Sequence, residues 1–125
     1  MTSEPYGDAL SRPYWEAALR SQLLIQRCTG CGAHQFYPRP FCLRCDGTVE
    51  WVAARGTGRV YSRTTVRIPA GGDLEVPYVA AIVELDEGPR MLTTLTDLDL
   101  PIGAPVRVSW RARAKGAPTP VFGPA

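Results

Sequence analysis

Lysine is almost missing from this chain: Lys115 is the only one among 14 basic residues, and 12 acidic residues leave a net charge of just +2. That balance argues against the strongly basic surface that accompanies nucleic-acid binding. Histidine is equally scarce, with His34 alone. A Ser-His-Asp or Cys-His arrangement would have to use that one imidazole. No G-x-S-x-G, P-loop or G-x-G-x-x-G occurs, and the acidic residues are scattered. Asp86 and Glu87 share one turn and Asp97 and Asp99 flank Leu98 near another, positions where carboxylates are usually solvated. The parts of a catalytic site are therefore not visible, and the expectation is a non-enzyme. No apolar run approaches the roughly 20 residues that span a bilayer. The opening MTSEPYGDAL has neither a basic stretch nor an apolar one of the kind that directs export, so the cytoplasm is the expected compartment.

What the chain does have is a set of four cysteines. Cys28-Thr-Gly-Cys31 is followed after ten residues by Cys42-Leu-Arg-Cys45. Each C-x2-C can bend into a knuckle whose two thiolates face one point, and two knuckles complete a tetrahedral sulfur site closed to water. Gly30, Gly32 and Asp46-Gly47 supply the turn residues such knuckles use. In a reducing compartment disulfides are disfavoured, and a redox C-x2-C would sit between a strand and a helix and would not come twice. Iron takes the same ligands; zinc is preferred on metal chemistry and frequency. Cys28, Cys31, Cys42 and Cys45 are thus the expected ligands of one structural zinc, with His34 left as an ordinary hairpin side chain.

Around this module, 125 residues with 45% hydrophobic and 21% charged composition suit an ordinary globular fold. A helix is expected from Ser11 to Leu24, with Ser11 as N-cap and Pro13 in the first turn. Trp15, Leu19 and Leu23 recur every four residues and form one apolar stripe, which packs either on the chain's own barrel or on a partner. After Gly56 and Gly58 the texture turns to short strands: Arg59–Ile68, Tyr78–Leu85, Arg90–Leu95, Val106–Arg113 and Pro120–Phe122. Pro69–Asp73 and Asp86–Pro89 read as turns, and Leu98–Pro105 as irregular. Four or five strands at short spacing favour a small closed barrel of the OB type. The expected class is mainly β, with residues 1–26 as arm and amphipathic helix, 27–50 as zinc ribbon and 51–125 as a five-stranded OB-fold barrel.

Four stretches in this order carry a resemblance: RCTGCGAHQFYPRPFCLRC from Arg27, WVAARGTGRVYS from Trp51, VPYVAAIVELDEG from Val76 and GAPVRV from Gly103. Together they resemble the DUF35 family, small proteins with a rubredoxin-like zinc ribbon followed by an OB-fold. The second knuckle departs from the family, where proline often follows the first cysteine and Leu43 stands here. The resemblance implies an accessory, non-catalytic role beside thiolase-like enzymes of acyl-CoA metabolism. These include lipid-transfer-protein-like aldolases that shorten steroid side chains, and MaoC-like hydratases are a further partner class. The subunit would stabilise its enzyme and help shape the channel for the CoA arm.

On that reading the partner surface is expected at Tyr14, Trp15 and Leu19 of the helix and at Tyr37-Pro38-Arg39-Pro40-Phe41 between the knuckles. Aromatic and arginine clusters are the usual composition of interface hot spots. The competing expectation is that some of Phe36, Tyr37 and Phe41 wedge the ribbon against the barrel. A second functional class is ligand binding by the barrel itself. Arg59, Tyr61 and Arg63 alternate along one strand, which suits CoA phosphates or, less well given the net charge, single-stranded nucleic acid.

Overall fold

The computed structural model describes residues 9–69, 74–113 and 116–125. The expected turn at Pro69–Asp73 lies mostly outside these residues.

A short helix, α1 (Arg12–Ala18), comes first. Pro13 occupies its first turn, as its fixed φ favours. Ser11 stands at the N-cap but makes no capping bond through its side chain. The helix is half the length read from the sequence. Leu19 caps it and Ser21 turns left-handed with φ 58°. The cause is downstream competition. Leu23 and Leu24 are claimed by a strand, β1 (Leu24–Cys28), and the Leu23 carbonyl accepts from the Ala54 N–H at 2.8 Å. The four-residue stripe consequently breaks up: Leu23 is buried from an extended segment and Leu19 is 61% exposed. Tyr14, Ala17 and Ala18 form the face the helix buries.

β1 is the centre of a three-stranded antiparallel sheet, between β2 (His34–Gln35) and β3 (Val49–Ala53). Leu24 pairs with Ala53 and Cys28 with Val49, so the start of β1 lies far from the metal ligands and its end carries the first of them.

The remaining strands are β4 (Thr57–Val66), β5 (Tyr78–Leu85), β6 (Arg90–Leu95), β7 (Pro105–Arg111) and β8 (Thr119–Pro124). They close into a barrel in the order β4-β5-β6-β8-β7, antiparallel except for β6 beside β8, with β7 returning to β4. This is the expected five-stranded OB topology. β5 and β6 have the bounds read from the sequence. Val79, Ala81, Val83 and Leu85 point inward from β5, and the intervening residues are half-covered, which explains why the strand reads as a continuous apolar run. Gly58 is needed where β4 crosses β5: a Cβ there would collide with the Glu84 carbonyl.

One core serves both parts. Val60, Val79, Val83, Leu85, Met91, Leu95, Val106 and Phe122 of the barrel join Tyr14 of α1, Leu23 before β1 and Ile25 of β1 in a single buried cluster. Phe36 and Trp51 pack against it from the ribbon. The ribbon is therefore seated on the barrel by apolar burial. Among the described residues, no helix is long and apolar enough to cross a membrane.

Candidate metal centre and ribbon tip

Cys28 ends β1 and Cys31 follows across a tight turn; Cys42 and Cys45 occupy the equivalent turn before β3. The turns are closed alike: Gly32 N–H donates to the Cys28 carbonyl at 3.1 Å and Asp46 N–H to the Cys42 carbonyl at 2.9 Å. Backbone donors also point at the sulfurs. Gly30 and Cys31 N–H reach Cys28 Sγ at 3.3 Å each, and Arg44 N–H reaches Cys42 Sγ at 3.3 Å. Cys42 N–H to the Gly47 carbonyl at 2.8 Å closes the second turn, and Thr29 N–H to the Thr48 carbonyl at 2.9 Å ties the first to the chain leaving it.

All four Sγ atoms lie within 4.8 Å of one another. Cys28 and Cys45 sulfurs are 3.5 Å apart and those of Cys31 and Cys42 3.8 Å apart. The edge of a zinc–thiolate tetrahedron with bonds of about 2.3 Å is about 3.8 Å, so the donor set is close to the size that zinc requires. None of the four forms a disulfide. Cys28 and Cys42 are buried, and Cys31 and Cys45 face outward. Gly47 lies against the centre: a Cβ there would come 3.1 Å from Cys28 Sγ and 3.2 Å from Cys45 Sγ. Before metal enters, the N–H of Cys31, then those of Gly30, hold the Cys28 thiol down at about 6 against the opposing effect of desolvation. The Cys45 thiol is pushed up to about 12, chiefly because it gives its proton to Cys28. His34 pairs with Arg27 across the sheet and is not part of the sulfur cluster. One structural zinc, with four protein ligands and no open position, is the reading this geometry supports.

The segment between the knuckles is held by two glutamines that nothing in the sequence flags. Gln26, 2% exposed, donates from Nε2 to the Arg39 carbonyl at 2.9 Å and accepts at Oε1 from the Arg39 N–H at 2.9 Å. Gln35 Nε2 donates to the same Oε1 at 2.8 Å and also to the Phe41 carbonyl at 3.2 Å. Gln35 Oε1 accepts from the Leu43 N–H at 3.1 Å. Polar residues inside a short strand usually read as solvent-facing, and only the pairing register reveals that Gln26 and Gln35 stand opposite each other.

The residues expected at a partner surface are divided by the fold. Tyr14 is core, 6% exposed, and its burial raises the phenol pKa against the lowering effect of Arg113. Pro38 is buried as well. These two pack the molecule together and reach the surface only at the wall of a groove. Trp15 is half-buried beneath the Arg113 guanidinium, 4.9 Å from its ring centre. Leu19, Tyr37, Arg39 and Phe41 are exposed. Edge-to-face contacts run from Trp15 to Tyr14, on to Phe36 and then Tyr37, so Phe36 is the wedge.

The arginine stripe on the barrel does not survive as a stripe. A bulge between Val60 and Ser62 interrupts the alternation of β4 at Tyr61. Arg59 is exposed and donates to the Gly103 carbonyl at 3.1 Å, and Tyr61 lies under the Arg90 guanidinium at 3.8 Å. Arg63 is half-buried, its guanidinium taken up by the Leu100 carbonyl and Thr65 Oγ1. Two of the five N–H donors of Arg63 are thus spent inside the fold. A groove of about 810 Å³ lies elsewhere, between α1, the ribbon and the β5–β6 face. Tyr14, Trp15, Phe36 and Tyr37 line one side, and Arg90 and Arg111 also border it.

Residues 15–51 match the family model described as the rubredoxin-like zinc ribbon domain of ChsH2, and residues 51–111 that of its C-terminal OB-fold domain. A probable enoyl-CoA hydratase alpha subunit of Thermomonospora curvata is 40% identical over 90% of this chain, and the chain spans only 36% of that protein's length. The 3-oxo-4,17-pregnadiene-20-carboxyl-CoA hydratase alpha subunit of Mycobacterium tuberculosis is 32% identical over 82% of this chain and 37% of its own. A DUF35 domain-containing scaffold protein of Methanocaldococcus jannaschii is 34% identical over 71% of this chain and 67% of its own. Among solved structures, a chain of the Ltp2-ChsH2(DUF35) aldolase superposes with a TM-score of 0.87 at 36% identity, over 97% of this chain and 98% of that one.

Proposed function

Since the chain belongs to the DUF35 family of paired zinc-ribbon and OB-fold domains, we propose that it is the accessory subunit of a thiolase-like acyl-CoA enzyme. In this role it stabilises a larger catalytic partner and contributes no active site of its own. The observation that carries the reading is the end-to-end match to one chain of a two-component aldolase, 98% of which is covered at a TM-score of 0.87. The metal centre agrees with it. A zinc held by four thiolates has no vacancy for water or substrate, so its contribution is to folding.

The substrate class follows from the relatives' names. Two are hydratase alpha subunits acting on CoA esters, one of them a steroid-derived ester, and the structural match is an aldolase. We therefore favour an aldolase of steroid side-chain degradation as the partner and keep a hydratase as the other candidate. Tagged chain purified from its source cells tests this, with bound proteins identified by mass spectrometry. Recovery of a thiolase-like or hydratase enzyme in near-equal amount is expected, and recovery of the chain alone would contradict the proposal.

A direct contact with the CoA arm is the second reading. The groove supports it, because Arg111 borders an aromatic-lined cleft and a guanidinium suits phosphate. Titration with acyl-CoA should then give binding that Arg111→Ala weakens. Nucleic acid is disfavoured by a net charge of only +2.

A further inference from the structure

We propose that residues 37–44 are a preformed docking knob, fixed by Gln26 and Gln35, which inserts into an apolar recess rimmed by carboxylates on the partner enzyme. This rests on the accessory-subunit reading and names the surface and the chemistry it meets.

Three observations converge on the knob. Tyr37, Phe41 and Leu43 are 62%, 44% and 61% exposed within seven residues, a density of apolar surface that ordinarily marks an interaction site. Tyr37 holds φ 131°, a backbone state that a bulky residue avoids and that neighbouring contacts must impose. The stretch that follows Tyr37 is fastened by the glutamines. Gln26 meets the Arg39 N–H and carbonyl together, as a neighbouring strand would, and Gln35 ties down the Phe41 carbonyl and Leu43 N–H. A buried amide of this kind is costly unless every donor and acceptor is matched, and Gln26 is matched at both ends. The knob's backbone is thus set before any partner arrives, which reduces the ordering cost of binding.

Charge selects the occupant. Arg39 and Arg44 are exposed on the knob, with Arg39 5.5 Å from the Tyr37 ring centre, and Asp46 is the nearest acid in sequence. A second copy meeting the knob through a two-fold contact would oppose arginine to arginine, which disfavours self-association. A protein recess with aspartate or glutamate at its rim satisfies both the aromatics and the guanidinium groups.

The test uses the full zinc-loaded chain and the purified enzyme that copurifies with it. Gln35→Ala alters a side chain behind the knob and leaves Tyr37, Phe41 and the arginines in place. It should retain one zinc per chain, speed amide exchange at Leu43, and weaken enzyme binding about tenfold. Phe41→Ala should weaken binding at least as much with no change in exchange. Arg44→Glu should weaken it and flatten its salt dependence. Gln35→Ala that speeds exchange while binding stays unchanged would overturn the proposal, as would wild-type affinity in Phe41→Ala. Self-association abolished by Phe41→Ala, or capture by vesicles of phosphatidylglycerol and phosphatidylcholine, would assign the knob to another occupant and overturn it too. If the unaltered chain binds no enzyme, the accessory reading itself falls, an outcome separate from enzyme binding that the variants leave intact.

Discussion

The ribbon and the barrel are built on different physics although they share one core. The barrel is closed by backbone ladders on every strand and filled by Val83, Leu85, Val106 and Phe122, so its strands hold one another. The ribbon has three short strands, one of them two residues long, and two turns held by sulfur. Its side facing the barrel is apolar, and its far end depends on a metal and on matched amides. The stable half can therefore act as a mount, and the half that needs a cofactor to fold presents the exposed surface.

The largest test of that contrast is removal of the metal. Structural zinc binding supplies on the order of 10 kcal/mol in small modules of this kind. Cys28→Ser, or chelation, should release the ribbon from residue 28 to 48 while amides of β5 and β6 stay protected from exchange. Simultaneous loss of protection in both halves would show that the barrel has no stability of its own. The reverse experiment strikes the barrel. Phe122→Ala opens a cavity at a fully buried position and should cost about 3–5 kcal/mol with zinc stoichiometry unchanged. Loss of zinc in that variant would make the two halves one cooperative unit.

The joint between them gives the smallest effect, and it depends on pH. Tyr14 links α1 and the ribbon to the barrel core, and burial raises its pKa above the ordinary value near 10. The folded state then holds the phenolic proton more tightly than the unfolded chain does. The stabilisation is fully present below about pH 10 and is lost as the pH rises above it, by at most about 1.4 kcal/mol per pH unit. Tyr14→Phe should flatten the alkaline limb of the stability profile relative to wild type, and an unchanged limb would place the alkaline loss elsewhere.

How much of this was legible beforehand depends on whether the signal was local. Cysteine spacing encodes a site in four residues, and the β5 and β6 patterns, bounded by turn residues, gave their strands to the residue. The helix did not read true, because its C-terminal half carries a helical pattern that β-pairing to β3 overrides. The bulge at Tyr61 is set by barrel closure, so an alternating arginine stripe looked continuous in the sequence and is broken in the fold. Tyr14 and Pro38 are buried within the chain for a related reason: aromatic and proline content marks contact, and cannot say whether the contact is internal. Gln26 and Gln35 were invisible because their meaning lies in register.

Turnover is the measurement that bears most directly on the accessory role, taken for the zinc-replete chain alone, for the copurified enzyme alone and for the two mixed in equal amounts. The account predicts no turnover by the chain, and a more active or longer-lived enzyme once the chain is added. Turnover by the isolated chain, or an enzyme indifferent to its presence, would contradict it.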